Sequence, residues 1–320
     1  MTLTPEIIAL LMLDALFLFF SFIAFVISVR IYLKWDASSF SPLQYGLEKQ
    51  SYLVGVVIKY IFFLKLPLFL FYVYTCDKLS NIITGAMCAS GVVNSVDFGL
   101  YLMVFKILNL YLFGFWLLLH QVDLKDEKQS FTKLKFLLFA IFFIFLLSEI
   151  ILEVSFFASL NISKIVSCCG TLFSATSSSY ISLLFKIDSA VLVGLFYGCF
   201  VLMVVAYFLK NSPIFIVSNG LFLFFSIASL IIFFSTYVYE LPTHNCPFCL
   251  LQKEYYGVGY VMYISLFMGT FYGFCGGVLQ RVSQIVMPHY ALISIVSNTF
   301  YVAIVSLYPI VYRLHNGVWL

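Results

Sequence analysis

The stretch "EIIALLMLDALFLFFSFIAFVISVR", residues 6–30, carries a single charge, Asp14, between Glu6 and Arg30. About 20 mostly apolar residues suffice to cross a bilayer as an α-helix, so this segment reads as a membrane span. Glu6 stands where a secretory leader has a basic region, and the apolar run is long. Both features predict a retained first span over a cleaved signal peptide. The rest of the chain repeats the pattern. Of 320 residues, 63% are hydrophobic, 20% aromatic and 10% charged, against about 25% charged in soluble domains. The expectation is an all-α polytopic membrane helical bundle in contact with lipid. A net charge of +3 with no long basic run argues against nucleic acid as a partner.

Eight segments qualify as spans: roughly 6–30, 53–75, 96–120, 134–158, 187–209, 214–238, 255–279 and 290–312. The longest connection, 159–186, is Ser-rich and too short for a core. The chain therefore reads as one integral membrane domain, 1–320, with a suggestion of two four-helix halves, 1–158 and 187–312. With both termini outside, Arg30, Lys34, Lys49, Lys125, Lys128, Lys133, Lys135, Lys210 and Arg281 face the cytoplasm. Lys78, Lys164, Lys186, Lys253 and Arg313 face out. The positive-inside bias favours that orientation.

Of eight cysteines, Cys76, Cys88, Cys168, Cys169, Cys246 and Cys249 then fall on the exoplasmic side, and Cys199 and Cys275 within spans. In a bacterial inner membrane that side is the oxidising periplasm, where disulfides persist. Six cysteines allow 15 pairings and the sequence does not choose among them. Adjacent Cys168 and Cys169 would form a strained, reducible bridge. Cys246 and Cys249 have C-x-x-C spacing, which permits reversible bridging and can lower a thiol's pKa. His244 stands two residues before the pair as a candidate proton acceptor.

The stretch "CPFCLLQK", Cys246 to Lys253, resembles the quinone-coupled disulfide-forming membrane proteins of the DsbB family, and more loosely the vitamin K epoxide reductase group. The resemblance covers eight residues. It implies electron transfer from an exoplasmic thiol protein, through the cysteine pair, to a quinone near Gln252 and Lys253. Apart from the resemblance, the pair stands just before the seventh span, so Cys249 is expected close to its start, where a helix N-terminus favours a thiolate, with Lys253 about one turn on. Three readings follow: a thiol–disulfide oxidoreductase or redox relay using Cys246, Cys249, Cys168, Cys169, Cys76 and Cys88; a metal-handling or transport protein with His244, Cys246 and Cys249 as soft ligands; and a structural subunit whose cysteines form stable disulfides.

Four ionisable residues fall near span centres by count: Asp14, Lys65, Lys106 and Glu149. Each costs about 2.5–3.5 kcal/mol to insert at a helix centre. Their balanced signs predict ion pairing among the first four helices, with a proton path or an anionic head-group site as the functional alternative. Gly269, Gly273 and Gly277 form a small-residue stripe in the seventh span, expected to let two helices approach closely.

Overall fold

The computed structural model describes residues 4–36, 41–126, 129–161, 166, 187–283 and 288–320. Every regular element among them is a helix. Eight helical stretches are long and apolar enough to cross a membrane. Cys168 and Cys169 lie outside the described residues. The chain divides into two compact units, Met1–Cys76 with Val93–Lys164, and Asp77–Val92 with Ile165–Leu320.

The first unit holds α1 (Pro5–Lys34), α2 (Pro42–Leu79, up to Cys76), α4 (Gly99–Lys125) and α5 (Thr132–Ser159). Pro5 opens α1, where its missing N–H is no loss, and Glu6 favours the positive helix end. α2 passes Pro67 without a break. It starts well before residue 53 because "PLQYGLEKQSY" continues the helix beyond its apolar part. The α4–α5 turn is tied by Asp123, whose carboxylate accepts from the Phe131 N–H (3.1 Å), the Thr132 hydroxyl (3.0 Å) and Lys135 Nζ (2.5 Å). Aromatic packing draws α2, α4 and α5 together: Phe62 stacks on Phe113 at 4.3 Å and meets Trp116 and Phe139. The outer faces of the helices carry exposed Phe19, Phe22, Phe63 and Ile144, the side-chain chemistry that suits lipid.

The second unit holds α6 (Ser189–Phe208), α7 (Ser212–Ser229), a π-helical turn (Leu230–Phe234), α8 (Ser235–Tyr239), α9 (Val258–Ser283) and α10 (Pro288–Asn316). Asp188 caps α6 by accepting from the Ala190 N–H (3.1 Å), and Asn211 caps α7 from the Ile214 N–H (3.2 Å). The glycine stripe of α9 is an internal contact. A Cβ at Gly269 would strike the Asn298 side chain, one at Gly273 the Asn219 side chain, and one at Gly277 Ile216. The two asparagines bond each other there, Asn298 Nδ2 donating to Asn219 Oδ1 at 3.2 Å, with the Ser294 hydroxyl donating to the same oxygen at 3.1 Å. Interhelical polar bonds of this kind add to van der Waals packing where lipid leaves no hydrophobic drive between helices.

The segment 77–92 follows α2 yet packs with the second unit. It includes most of α3 (Ala89–Val93), a single short helical turn. Gly85 permits its path: its φ is +88°, and a Cβ would sit 2.4 Å from the Val166 carbonyl oxygen. Thr84 offers its carbonyl to the Val166 N–H at 3.0 Å.

Candidate functional site: a buried three-cysteine cluster

The C-x-x-C does not open α9. Phe248 ends a turn after which Cys249–Leu251 and Lys253–Tyr255 form two 3₁₀ turns, and the helix begins only at Val258. The expectation that Cys249 lies close to the helix start is corrected on this point. Tyr256 and Gly257 both have positive φ, 55° and 61°, and this left-handed step separates the cysteine turn from the helix axis. A helix dipole therefore does not act on Cys249 in the manner of a C-x-x-C at a helix N-terminus.

The pair is buried. Cys246 is 0% exposed and Cys249 5%, and both belong to the second unit's core with Leu250, Phe234, Met262, Leu266 and Tyr301. The same core contains Cys88, also 0% exposed. The sulfur of Cys88 lies 3.9 Å from that of Cys246, across 158 residues of sequence. The three Sγ atoms of Cys88, Cys246 and Cys249 all lie within 4.8 Å of one another.

Hydrogen bonds hold both strands of this meeting. Tyr239, at the end of α8, donates its hydroxyl to the Cys246 carbonyl in a short bond. Tyr263, in α9, donates to the Pro247 carbonyl at 2.6 Å. Gln252 Nε2 donates to the Met87 carbonyl at 3.0 Å and so ties the residue before Cys88 to the C-x-x-C segment. Asp77 accepts the Ala89 N–H at 3.3 Å on the other side of Cys88. Behind the pair, α9 closes in through Gly259, where a Cβ would stand 2.8 Å from both the carbonyl carbon and the Cβ of Leu250.

His244 packs its ring edge-on against Tyr239 at 4.4 Å. Its Nε2 is buried and makes no hydrogen bond among the described residues. Burial pushes its pKa below the usual 6.5, opposed by the neighbouring Cys88. It is thus a neutral base at neutral pH. Burial, with Cys249 and Glu254 nearby, pushes the Tyr255 phenol above its ordinary range. Lys253 is exposed.

Of the cysteines singled out in the sequence, Cys88, Cys246 and Cys249 are brought together. Cys76 is buried in α2 of the first unit. Cys199 and Cys275 are buried within α6 and α9. Tyr239, Tyr263 and Gly259 escaped the sequence reading, because nothing in their local pattern marks a tyrosine or glycine as touching a loop. In the first unit, Asp14, Lys65, Lys106 and Glu149 do form one ion-paired group, joined by Glu153 and Asn109. A positional signal for both was present. Glu153 is four residues after Glu149 and Asn109 three after Lys106, so each shares its neighbour's helix face.

Fold and site together define a multi-pass α-helical membrane protein carrying a buried cluster of three cysteines. No family model, curated protein or solved structure matches the chain.

Proposed function

We propose that the protein is a membrane thiol–disulfide redox relay in which one disulfide moves among Cys88, Cys246 and Cys249. The observation that carries this reading is the 3.9 Å approach of Cys88 to Cys246 beside a C-x-x-C. A disulfide has sulfurs about 2.05 Å apart, so a side-chain rotation closes the gap. In the exchange step the Cys249 thiolate attacks Sγ of Cys246 in a Cys88–Cys246 disulfide. The Cys246–Cys249 bond forms, and Cys88 leaves as a thiolate that takes up the proton Cys249 has lost. No electrons are gained or lost in that step. His244, neutral and with a free Nε2, suits the proton transfer.

Net oxidation removes two electrons and two protons from two thiols. A quinone, the acceptor implied by the resemblance of "CPFCLLQK", takes up both and becomes a quinol. Burial of all three sulfurs favours an acceptor that reaches them through the membrane over one that arrives in water. Lys253, exposed, is the group suited to polarise a quinone carbonyl, while Gln252 orders the loop through Met87. An exoplasmic position of the cluster, in an oxidising compartment, belongs to this proposal, as does an exoplasmic thiol protein as electron donor.

A second reading rests on the mutual closeness of three sulfurs, which suits a trigonal thiolate site for Cu(I) or a similar thiophilic ion. One experiment separates the two. Membranes are poised with oxidised or reduced quinone, thiols are trapped with a maleimide, and the purified protein is assayed for copper. The relay requires that Cys246 and Cys249 change state with quinone poise. Thiols indifferent to quinone, with stoichiometric copper lost in Cys249→Ser, would replace the relay with the metal site.

A further inference from the structure

The ion-paired group of the first unit is not balanced in charge. Lys65 Nζ donates to Asp14 Oδ1 at 2.8 Å and to Glu149 Oε1 at 3.1 Å. Lys106 Nζ donates to the same Glu149 oxygen at 3.0 Å and to Glu153 Oε2 at 2.5 Å. Asn109 Nδ2 donates to Glu149 Oε2 at 2.5 Å. All five charged side chains are buried. Three carboxyl groups thus face two ammonium groups, and full ionisation would leave one uncompensated negative charge buried among the spans. An uncompensated charge costs several kcal/mol there.

The surplus has an address. Asp14 Oδ2 and Glu153 Oε1 are buried and receive no hydrogen bond. Both belong to one chain of ion pairs, in which Lys65 joins Asp14 to Glu149 and Lys106 joins Glu149 to Glu153. An ionised carboxylate can only accept, so two buried carboxyl oxygens that no donor reaches are relieved when a proton is bound there. The other groups facing the pair are Lys65, Lys106, Glu149, Asn109 and Tyr72, whose ring covers Lys106 Nζ at 4.7 Å.

We propose that Asp14 and Glu153 share one proton, which makes this cluster a buried single-proton binding site in the membrane core. One proton cancels the surplus charge and supplies a donor where two buried carboxyl oxygens, one on α1 and one on α5, have none. A metal cation would cancel the charge too, but the only group of three ligand atoms within mutual reach among the described residues is the cysteine cluster. The site is independent of the cysteine chemistry and stands whether or not that reading holds.

The test is infrared spectroscopy of the protein in lipid nanodiscs at neutral pH, with hydrogen–deuterium exchange, on wild type, Glu153→Gln and Asp14→Asn. The expected result is a carboxylic-acid C=O band in wild type that is lost in both variants. An amide supplies the neutral hydrogen-bonding partner, so both variants should fold. Absence of the acid band in wild type overturns the proposal, as does its persistence in both variants. Absence of the band together with a denaturation midpoint that rises with sodium but not with choline assigns the site to a metal cation instead. Failure of both variants to fold also counts against a shared proton, since the amide reproduces the charge of the protonated acid.

Discussion

The sharpest consequence of the first unit's geometry is an inequality between two substitutions, Lys106→Met and Glu149→Gln. Each touches the same buried network, and Glu149 accepts more hydrogen bonds than Lys106 donates within it: three from Lys65, Lys106 and Asn109. Counting contacts alone makes Glu149 the more costly loss, but charge reverses the order. Removing Lys106 leaves Lys65 as the one cation for three carboxyl groups, takes the donor from Glu153 Oε2, and uncovers the Tyr72 ring. Breaking a buried pair by deleting one partner costs about 3–5 kcal/mol. Replacing Glu149 with Gln leaves two cations with two carboxylates once the proton shared by Asp14 and Glu153 is released, keeps the shape, and retains an acceptor oxygen for the lysines. Its cost is the lost charge assistance, about 1–2 kcal/mol. The lysine variant is therefore expected to lose about 2 kcal/mol more. Reversible unfolding in mixed detergent micelles, followed by circular dichroism, measures both. A Glu149→Gln variant as unstable as Lys106→Met would refute the charge argument and leave contact number as the governing quantity.

Three further expectations concern the cysteine cluster. Gly259→Ala should destabilise the second unit by about 1–3 kcal/mol, because the new methyl meets Leu250 backbone that cannot yield; faster maleimide labelling of Cys249 would report the displacement, and wild-type labelling and stability would contradict it. Gln252→Ala removes the bond to Met87, worth about 0.5–1.5 kcal/mol. It should slow oxidative cross-linking of Cys88 to Cys246 while sparing that of Cys246 to Cys249, so equal slowing of both would count against the clamp. His244 has a depressed pKa in the folded protein, so below about 6.5 the unfolded chain binds the extra proton first. Its contribution makes stability fall as pH drops from 6.5 toward the folded pKa and is flat above 6.5. His244→Phe should remove that part of the slope in denaturation midpoints measured between pH 7 and 5.

Local reading of the chain went furthest where the physics is one-dimensional. A hydrocarbon core about 30 Å thick demands long apolar helices, so eight spans were legible, with errors mainly where a helix outruns its apolar part, as α2 does. The pairing of Asp14, Lys65, Lys106 and Glu149 followed from the cost of burying single charges. Glu153 lies away from the middle of its span, where position alone does not mark a charge as buried. The cysteine site was half legible. Spacing singled out Cys246 and Cys249, but the 3₁₀ turns that hold them off α9 depend on left-handed Tyr256 and Gly257, which carry no signature strong enough to place a helix start.

Composition by itself determined the class of this protein: a chain this apolar satisfies its backbone in lipid only as helices. It also determined that the buried charges must find one another. Tertiary structure alone decided that Cys88, and no other described cysteine, meets the C-x-x-C, and that Glu153 joins the ion-paired group through Lys106. Those choices rest on the rotation and register of each helix about its axis. In water a helix announces its inner face by an apolar stripe. Here the helices are apolar nearly all round, and in α1 the buried stripe mixes Ile7, Leu10, Phe17 and Ile31 with Asp14, Ser21, Ala24 and Ser28. Of these, Asp14 bonds another helix, through Lys65, and that partner is in place only once the chain has folded.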